Sequence, residues 1–220
     1  MILIFDLDDT LYDEKTYALS GIKEVARLVS PRFGLSVRKS FNFMENEVLF
    51  GDRKRVFNLW LNYANLPQSL VKECIAIYRG HKPEIKLNES ALNLLKIFSN
   101  IPKYVVTDGN KLVQSRKIDA LNLQKYMHRS LITHRFGTKH AKPSIYCFEL
   151  IKSLEKCEWN EMIYIGDDPS KDFLNIKPLG VHTVRVLTGR HKDVKVENRY
   201  DASNTIKDLW GFIDVAKGII

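Results

Sequence analysis

The sequence has few cysteines and lacks any long apolar run. Its three cysteines among 220 residues are odd in number and show no metal-ligand spacing. This pattern argues against a disulfide framework or a zinc site and predicts reduced thiols. No stretch approaches the roughly 18 apolar residues that a membrane helix needs, and no basic leader precedes the first apolar run. We therefore expect a cytoplasmic protein without a membrane partner.

The sequence also lacks internal repeats, low-complexity tracts and histidines at metal-ligand spacing. Its formal net charge is +8, with basic clusters at residues 53–55 and 190–199. Neither cluster interleaves aromatic side chains as a nucleic-acid stacking platform would, and such clusters are typical of solvated surfaces. A nucleic-acid partner is therefore disfavoured. A role on phosphorylated nucleic-acid ends stays as an alternative that rests on charge alone.

The most informative stretch is the first ten residues. An apolar run from Ile2 to Phe5 predicts a buried strand, and three carboxylates and a hydroxyl follow it directly. In a parallel α/β sheet, ligands bind at the carboxyl ends of strands. Asp6 and Asp8 would lie there, on one side of an extended segment. Crowded carboxylates need a counter-charge such as a divalent cation; the alternative is a solvated acidic turn.

The pattern of apolar residues divides the chain into two regions. Residues 14–82 show helical spacing throughout, whereas strand and helix patterns alternate from residue 88 onward. This alternation predicts a Rossmann-like parallel sheet with helices on both faces. We expect an α/β core formed by residues 1–13 and 83–220. Residues 14–82 would form an inserted helical cap, well placed in the chain to act as a lid over a site after the first strand.

Within the α/β region, four further strands are predicted at residues 103–107, 130–133, 162–165 and 181–187. Helices are expected to begin at Pro143 and at Pro169, since proline is favoured at the first helical position. Ser203 is expected to cap a final helix that runs through Ala216.

Polar residues stand at the ends of these later strands as well. Thr107 ends one strand and precedes Asp108-Gly109-Asn110, where a hydroxyl and free N–H groups would form a phosphate pocket. Lys142 precedes a predicted helix, and Asp167, Asp168 and Asp172 follow the fourth strand. Each residue alone has an ordinary explanation as a cap or a solvated side chain. Their combination at one sheet edge indicates a catalytic site.

With these residues the sequence resembles the haloacid dehalogenase superfamily. Asp6-Leu7-Asp8-Asp9-Thr10-Leu11 matches its first motif, Thr107 its second, Lys142-Pro143 its third, and the segment 166–172 its fourth. The helical insert matches the superfamily's cap after the first motif. Asp108 stands where many relatives have Asn, and Ile145 where Pro is frequent.

The resemblance implies an assignment for each matching residue. Asp6 would be the nucleophile that forms an aspartyl-phosphate, and Asp8 the general acid and base. Mg²⁺ would be held by Asp6, the backbone carbonyl of Asp8 and Asp167. Asp9 and Asp168 are expected to be structural or capping residues.

The remaining matches complete the implied site. Thr107, the N–H groups near Asp108 and Lys142 would bind the phosphoryl oxygens. Asp172 would stand behind them and orient Lys142 or a water on the metal, and Thr10 is placed in the same supporting layer.

The implied activity is that of a Mg²⁺-dependent phosphatase. Its expected substrate and only implied partner is a small phosphorylated metabolite of the nucleotide or sugar phosphate class. Asp8 argues against the dehalogenase branch, which needs no general acid at that position. A phosphomutase or a phosphonatase of the same superfamily stays as an alternative, whereas a phosphoacceptor receiver domain is disfavoured. The sequence carries no signal for oligomeric state.

Overall fold

Six parallel strands form a single sheet in the computed structural model, which describes residues 1–219. Their order in the sheet is β3-β2-β1-β4-β5-β6, so the chain proceeds to one side of β1 and then to the other. The reversal beside β1 is where open α/β sheets bind ligands. The predicted fold class is thus confirmed. The strands are β1 (Ile2–Phe5), β2 (Lys103–Thr107), β3 (Arg129–Ile132), β4 (Met162–Gly166), β5 (His182–Val186) and β6 (Asn204–Ile206).

The strand register aligns the functional segments at one edge. Phe5, the last residue of β1, pairs with Val105 of β2 and with Ile165 of β4. The Asp6 amide also donates to the Ile165 carbonyl at 2.8 Å. The segments that follow β1, β2 and β4 therefore emerge side by side.

Four α-helices accompany the sheet: α5 (Glu89–Ile97), α6 (Lys111–Ala120), α7 (Tyr146–Glu155) and α8 (Phe212–Ile219). On one face, Ile2 and Ile4 share a core with Phe148 and Ile151 of α7. The alternate side chains of β1, such as Leu3, are also fully buried. Because successive side chains of a strand point to opposite faces, both faces of the sheet are covered.

The structure corrects three predicted elements. The predicted final helix from Ser203 is instead the edge strand β6, which pairs with β5, and α8 begins only at Phe212. The helix expected at Pro143 begins at Tyr146. No helix begins at Pro169, because side chains there bind backbone N–H groups: Asp168 accepts from the Ser170 amide at 3.0 Å and Asp172 from the Asp168 amide at 3.0 Å. Such contacts compete with helical hydrogen bonding.

The chain divides into two compact units. The first comprises Met1–Asp13 and Lys86–Ile220, and the second comprises Glu14–Ile85. The second unit contains helices and no strand among its residues, all of which are described: α1 (Glu14–Val29), α2 (Val37–Phe50), α3 (Val56–Tyr63) and α4 (Val71–Gly80). Its own core surrounds the fully buried Trp60 and includes Ile22, Met44 and Cys74.

None of the helices within residues 1–219 is long and apolar enough to cross a membrane.

Candidate active site

A buried lysine joins two carboxylates at the carboxyl edge of the sheet. Lys142 Nζ lies 2.9 Å from an Asp6 oxygen and 2.7 Å from an Asp172 oxygen. It also donates to the Tyr164 hydroxyl at 2.9 Å. Burial alone would lower the pKa of Lys142, but the charges of Asp172 and Asp6 raise it well above its usual value. The structure thus holds a charged ammonium directly against Asp6.

Three carboxylates gather around this point. Asp6, Asp167 and Asp172 each present an oxygen within 4.8 Å of the others, and all three are buried. An all-oxygen set of carboxylates is what hard divalent cations such as Mg²⁺ require. These residues therefore fit a divalent cation.

The pKa values of this acidic cluster show why a cation suits it. Burial raises the pKa of Asp6 to about 6, with Lys142 opposing the shift and Asp172 adding to it. Burial and then the charges of Asp6 and Asp172 raise the pKa of Asp167 to about 9. Carboxylates repel one another at such short range, so a cation would favour their ionised forms.

Asp8 has separate partners. Lys117 Nζ lies 2.8 Å and 3.0 Å from its two oxygens, Gln114 Nε2 donates to it at 3.0 Å, and the Tyr12 hydroxyl donates as well. Burial would raise the pKa of Asp8, but the charge and hydrogen bond of Lys117 outweigh burial and lower it. Asp8 is thus held as a carboxylate.

Thr107 belongs to the same network. Gln114 Nε2 lies 2.7 Å from Thr107 Oγ1, 3.0 Å from Asp8 Oδ2 and 2.8 Å from the Asp108 carbonyl. Gln114 is on α6, whose first turn is capped by Asn110: its side chain accepts from the Leu112 amide at 3.0 Å. The helix start therefore fixes the predicted phosphate-binding hydroxyl relative to Asp8.

The side chain of Asp108 turns toward the neighbouring loop. Its Oδ1 accepts from Thr133 Oγ1 at 2.7 Å and from the Lys142 amide at 3.1 Å. Lys171 Nζ lies 3.9 Å from its other oxygen. Asp108 thereby links the segment after β2 to the segment that carries Lys142.

Asp9 and Asp168, which were predicted to be structural or capping residues, accept hydrogen bonds from backbone amides. Asp9 adopts a positive φ of 53° and accepts from the Arg190 amide at 3.3 Å. Asp168 accepts from the amide and the hydroxyl of Ser170. The Thr10 hydroxyl is buried and has no hydrogen-bond partner among residues 1–219, so the structure brings it into no polar contact with the carboxylates.

Three residues that contact the site carboxylates match no motif in the sequence: Gln114, Lys117 and His191. On α6, Gln114 and Lys117 are the buried residues, three positions apart. Polar residues three positions apart on the face of a helix that packs against the core are unusual, because that face normally carries apolar side chains. This pattern could have indicated that Gln114 and Lys117 contact the site. By contrast, His191 approaches Asp167 from a loop after β5, and no spacing in the sequence predicts this contact.

Comparison with known proteins gives a consistent picture. The family model of the haloacid dehalogenase-like hydrolases matches residues 1–180. A curated glyceraldehyde 3-phosphate phosphatase of Methanocaldococcus jannaschii is 25% identical, and the match covers 99% of this chain and 97% of the relative. A protein of the same name from Pyrococcus furiosus is 26% identical, with 97% and 92% covered.

A solved structure shares the fold over the full length. A 2-haloacid dehalogenase from Pseudomonas syringae pv. Tomato DC3000 superposes with a TM-score of 0.66, at 20% identity and with 100% of both chains covered.

Proposed function

Since this chain belongs to the haloacid dehalogenase-like hydrolase family, we propose that it is a Mg²⁺-dependent phosphatase. It hydrolyses a small sugar-phosphate-class monoester through an aspartyl-phosphate on Asp6. One observation supports the proposal most directly: Asp6 and Asp8, two carboxylates of one loop, have different charged partners. Asp6 lies in the acidic cluster against Lys142, whereas Asp8 has its own donors. A nucleophile and a proton-transfer group need that separation.

In the first step, an Asp6 oxygen attacks phosphorus and the bond from phosphorus to the ester oxygen breaks. The leaving oxygen takes a proton from Asp8. Lys142, 2.9 Å from Asp6, favours the ionised nucleophile and offsets the negative charge that the phosphoryl group brings.

In the second step, Asp8 takes a proton from water, whose oxygen attacks phosphorus. The bond between phosphorus and the Asp6 oxygen breaks, which restores the Asp6 carboxylate and releases phosphate. The contacts that lower the pKa of Asp8 favour the carboxylate that this step needs. Protonation of the leaving group is therefore the more demanding of the two tasks of Asp8.

Asp6, Asp167 and the backbone carbonyl of Asp8 would hold Mg²⁺. When bound, the ion supplies positive charge to the cluster and to the phosphoryl oxygens. The hydroxyl of Thr107 and the N–H groups near Asp108, in the segment before α6, would bind the same oxygens. Asp172, 2.7 Å from Lys142, would orient the ammonium.

The names of the two curated relatives suggest the substrate class. Both are called glyceraldehyde 3-phosphate phosphatase, so we propose that this chain acts on a small sugar phosphate, with glyceraldehyde 3-phosphate as the first candidate. We further propose that the helical unit Glu14–Ile85 is the cap, since it is inserted directly after the segment that carries Asp6 and Asp8.

The test is phosphate release from a panel of sugar phosphates and nucleotides, with Mg²⁺ and with chelator. Wild type is compared with Asp6→Asn and with Asp193→Asn, which changes an exposed carboxylate in the same way. We expect Mg²⁺-dependent release that Asp6→Asn abolishes and Asp193→Asn leaves intact. Trapping of radiolabelled phosphate on Asp6 would identify the intermediate.

Two outcomes would contradict the proposal. Release by Asp6→Asn, once deamidation and contaminating phosphatases are excluded, would rule out Asp6 as the nucleophile. No release by folded wild type from any monoester of the panel would favour a mutase or a phosphonatase.

A further inference from the structure

The imidazole of His191 contacts the acidic cluster from the loop after β5. Its Nδ1 lies 2.9 Å from Asp167 Oδ2, and its Nε2 lies 3.7 Å from Asp168 Oδ2. The His191 side chain is 28% exposed, whereas that of Asp167 is 5% exposed. In the tautomer that carries hydrogen on Nδ1, the ring N–H donates a charge-assisted hydrogen bond to the Asp167 carboxylate at this distance. The contact therefore runs from a half-buried residue to a buried carboxylate of the site.

The backbone of this loop is anchored from the sheet. Arg185 of β5 is buried, and its Nη2 donates to the His191 carbonyl at 2.7 Å and to the Val194 carbonyl at 2.7 Å. Its Nη1 pairs with Asp201 at 3.2 Å. A buried guanidinium that binds two carbonyls and a carboxylate has little freedom, so the backbone of His191 is held from the sheet.

The loop is also fastened to the segment after β1. Thr188 Oγ1 donates to the Asp9 carbonyl, and the Arg190 amide lies 3.3 Å from Asp9 Oδ2. Gly189 packs so closely that a Cβ there would come within 2.0 Å of Asp9 Cγ. Two independent anchors thus hold residues 188–191 against the carboxyl edge of the sheet.

The imidazole acts on the site through Asp167. Among residues 1–219, the set of ligand atoms that lie within 4.8 Å of one another consists of Asp6, Asp167 and Asp172, and no histidine belongs to it. A hydrogen bond to one oxygen of Asp167 leaves the other oxygen available to an ion. This is the arrangement by which residues behind a metal ligand fix its orientation.

We propose that His191 is a positioning residue of the cation site, whose ring N–H orients the Asp167 carboxylate for a divalent cation. The inference rests on the cation site of the proposed function. Without His191, the ion itself would have to order the carboxylate, and binding would weaken. Loss of such a contact typically costs about 10-fold to 100-fold in metal affinity.

The test measures binding of Mg²⁺ alone to the full chain by isothermal titration calorimetry, after removal of metal by a chelator. Wild type is compared with His191→Ala, His191→Asn and Lys192→Ala. Asn places an amide nitrogen where the Nδ1 of His stands, so it keeps the donor. Lys192 is exposed in the same loop and is the matched control for loop charge.

We expect His191→Ala to raise the Kd for Mg²⁺ by about 10-fold to 100-fold. His191→Asn should retain most of the affinity, and Lys192→Ala should bind as wild type does. Circular dichroism checks that each variant is folded. If His191→Ala does not fold, His191→Gln takes its place, because its donor stands one bond farther out and should weaken binding similarly.

Unchanged Mg²⁺ affinity in His191→Ala would overturn the positioning role, and so would an equal loss in Lys192→Ala. Absence of Mg²⁺ binding to wild type would overturn it together with the cation site. If wild type binds Mg²⁺ and His191→Ala binds it weakly, yet no substrate releases phosphate, the positioning role is supported and the proposed phosphatase activity is overturned.

Discussion

The candidate site has two halves of opposite character. In the Asp6 half, formed by Asp6, Lys142, Asp167 and Asp172, three carboxylates lie close together and two of them, Asp6 and Asp172, pair with the Lys142 ammonium. In the Asp8 half, a single carboxylate pairs with Lys117 and accepts hydrogen bonds from Gln114 and Tyr12. Burial raises the pKa of Asp6, whereas the Lys117 ammonium outweighs burial and lowers that of Asp8. The pKa values of two residues of one loop are thus shifted in opposite directions.

The difference teaches where a cation is needed. In the Asp8 half, the positive charge of Lys117 neutralises the negative charge of Asp8, so this half needs no added cation. The Asp6 half has an excess of negative charge in a buried position, which is unfavourable unless a cation or protons compensate it. A test of this comparison therefore removes the charge partner of one half at a time.

The largest effect is expected from Lys142→Met, which leaves Asp6 and Asp172 without their ammonium. We expect phosphate release at saturating Mg²⁺ to fall by about 100-fold to 1,000-fold, as for other electrostatic groups at reacting atoms. The measurement is the steady-state rate on the best substrate of the panel.

The matched control is Lys103→Met, which removes another buried lysine. Lys103 Nζ donates to three carbonyls near the end of α5, those of Phe98, Ser99 and Ile101. We expect this variant to lose stability and to keep its activity per folded molecule. A Lys142→Met enzyme as active as Lys103→Met would mean that the Asp6 half does not need its lysine.

The second effect concerns pH and metal. Asp6 and Asp167 have folded pKa values of about 6 and about 9, above the ordinary 3.8. Between the ordinary pKa of 3.8 and the folded value of about 9, the folded chain binds more protons than the unfolded chain. The free energy of unfolding therefore falls as the pH rises through this interval. Thermal unfolding of metal-free protein should therefore show a Tm that decreases from about pH 5 to about pH 9.

Saturating Mg²⁺ should reduce this slope, because the ion favours the ionised carboxylates. At 100 times its Kd, a ligand stabilises the folded state by about 2.7 kcal/mol. In Asp167→Asn the metal-free slope should flatten, since the group with the higher pKa is gone. A metal-free Tm that rises over the same interval would contradict the raised pKa values.

The third effect is expected in the Asp8 half. Lys117→Met removes the charge that lowers the pKa of Asp8, so the base form of Asp8 is lost at a higher pH than in wild type. Because the first step needs protonated Asp8, we expect the basic limb of the kcat/KM profile to move to higher pH. Because the second step needs its carboxylate, hydrolysis of the aspartyl-phosphate should slow by about 10-fold on the acidic side of its pH profile. Met has a similar length, which limits the change in packing. If both limbs stay in place, Lys117 does not control Asp8.

The sequence predicts much of this arrangement, because its patterns show where strands end and which polar residues follow them. Apolar runs that end in polar residues predicted β1, β2 and β4, and parallel strands bring their ends together. Membership in the hydrolase family was predicted from the same residues and is confirmed. The roles of Asp6, Asp8, Asp167 and Lys142 stay predictions until the variants are measured.

Other features depend on contacts that local sequence does not encode. Strand β6 has three residues, and its pairing with β5 overrides an apolar pattern that also fits a helix. The turn after Pro169 depends on carboxylates that bind backbone amides. His191 reaches Asp167 only because Arg185 and Asp9 hold its loop. Such tertiary contacts between distant residues leave no periodic signal.

The smallest effect is expected at Asp108, where the sequence departs from the common Asn. Its Oδ1 accepts from Thr133 and from the Lys142 amide, and the carbonyl oxygen of Asn accepts equally well. Asp108→Asn therefore removes only a charge near the phosphate pocket and the ion pair with Lys171 at 3.9 Å. Loss of this negative charge should favour binding of the anionic phosphate, so we expect KM to fall. Because charge interactions of this kind contribute about 1 kcal/mol or less, the decrease should be less than about fivefold, and kcat should stay unchanged.

Asp108→Ala is the matched variant, because it also removes the acceptor. Leaving the Thr133 hydroxyl and the Lys142 amide without a partner should lower the free energy of unfolding by about 1–3 kcal/mol and should reduce kcat through Lys142. If Asp108→Asn loses as much activity as Asp108→Ala, the charge itself takes part in phosphate chemistry. If only Asp108→Ala loses activity, Asp108 serves to fix the loop that carries Lys142, and the departure from Asn is a substitution that the Asp6 half tolerates.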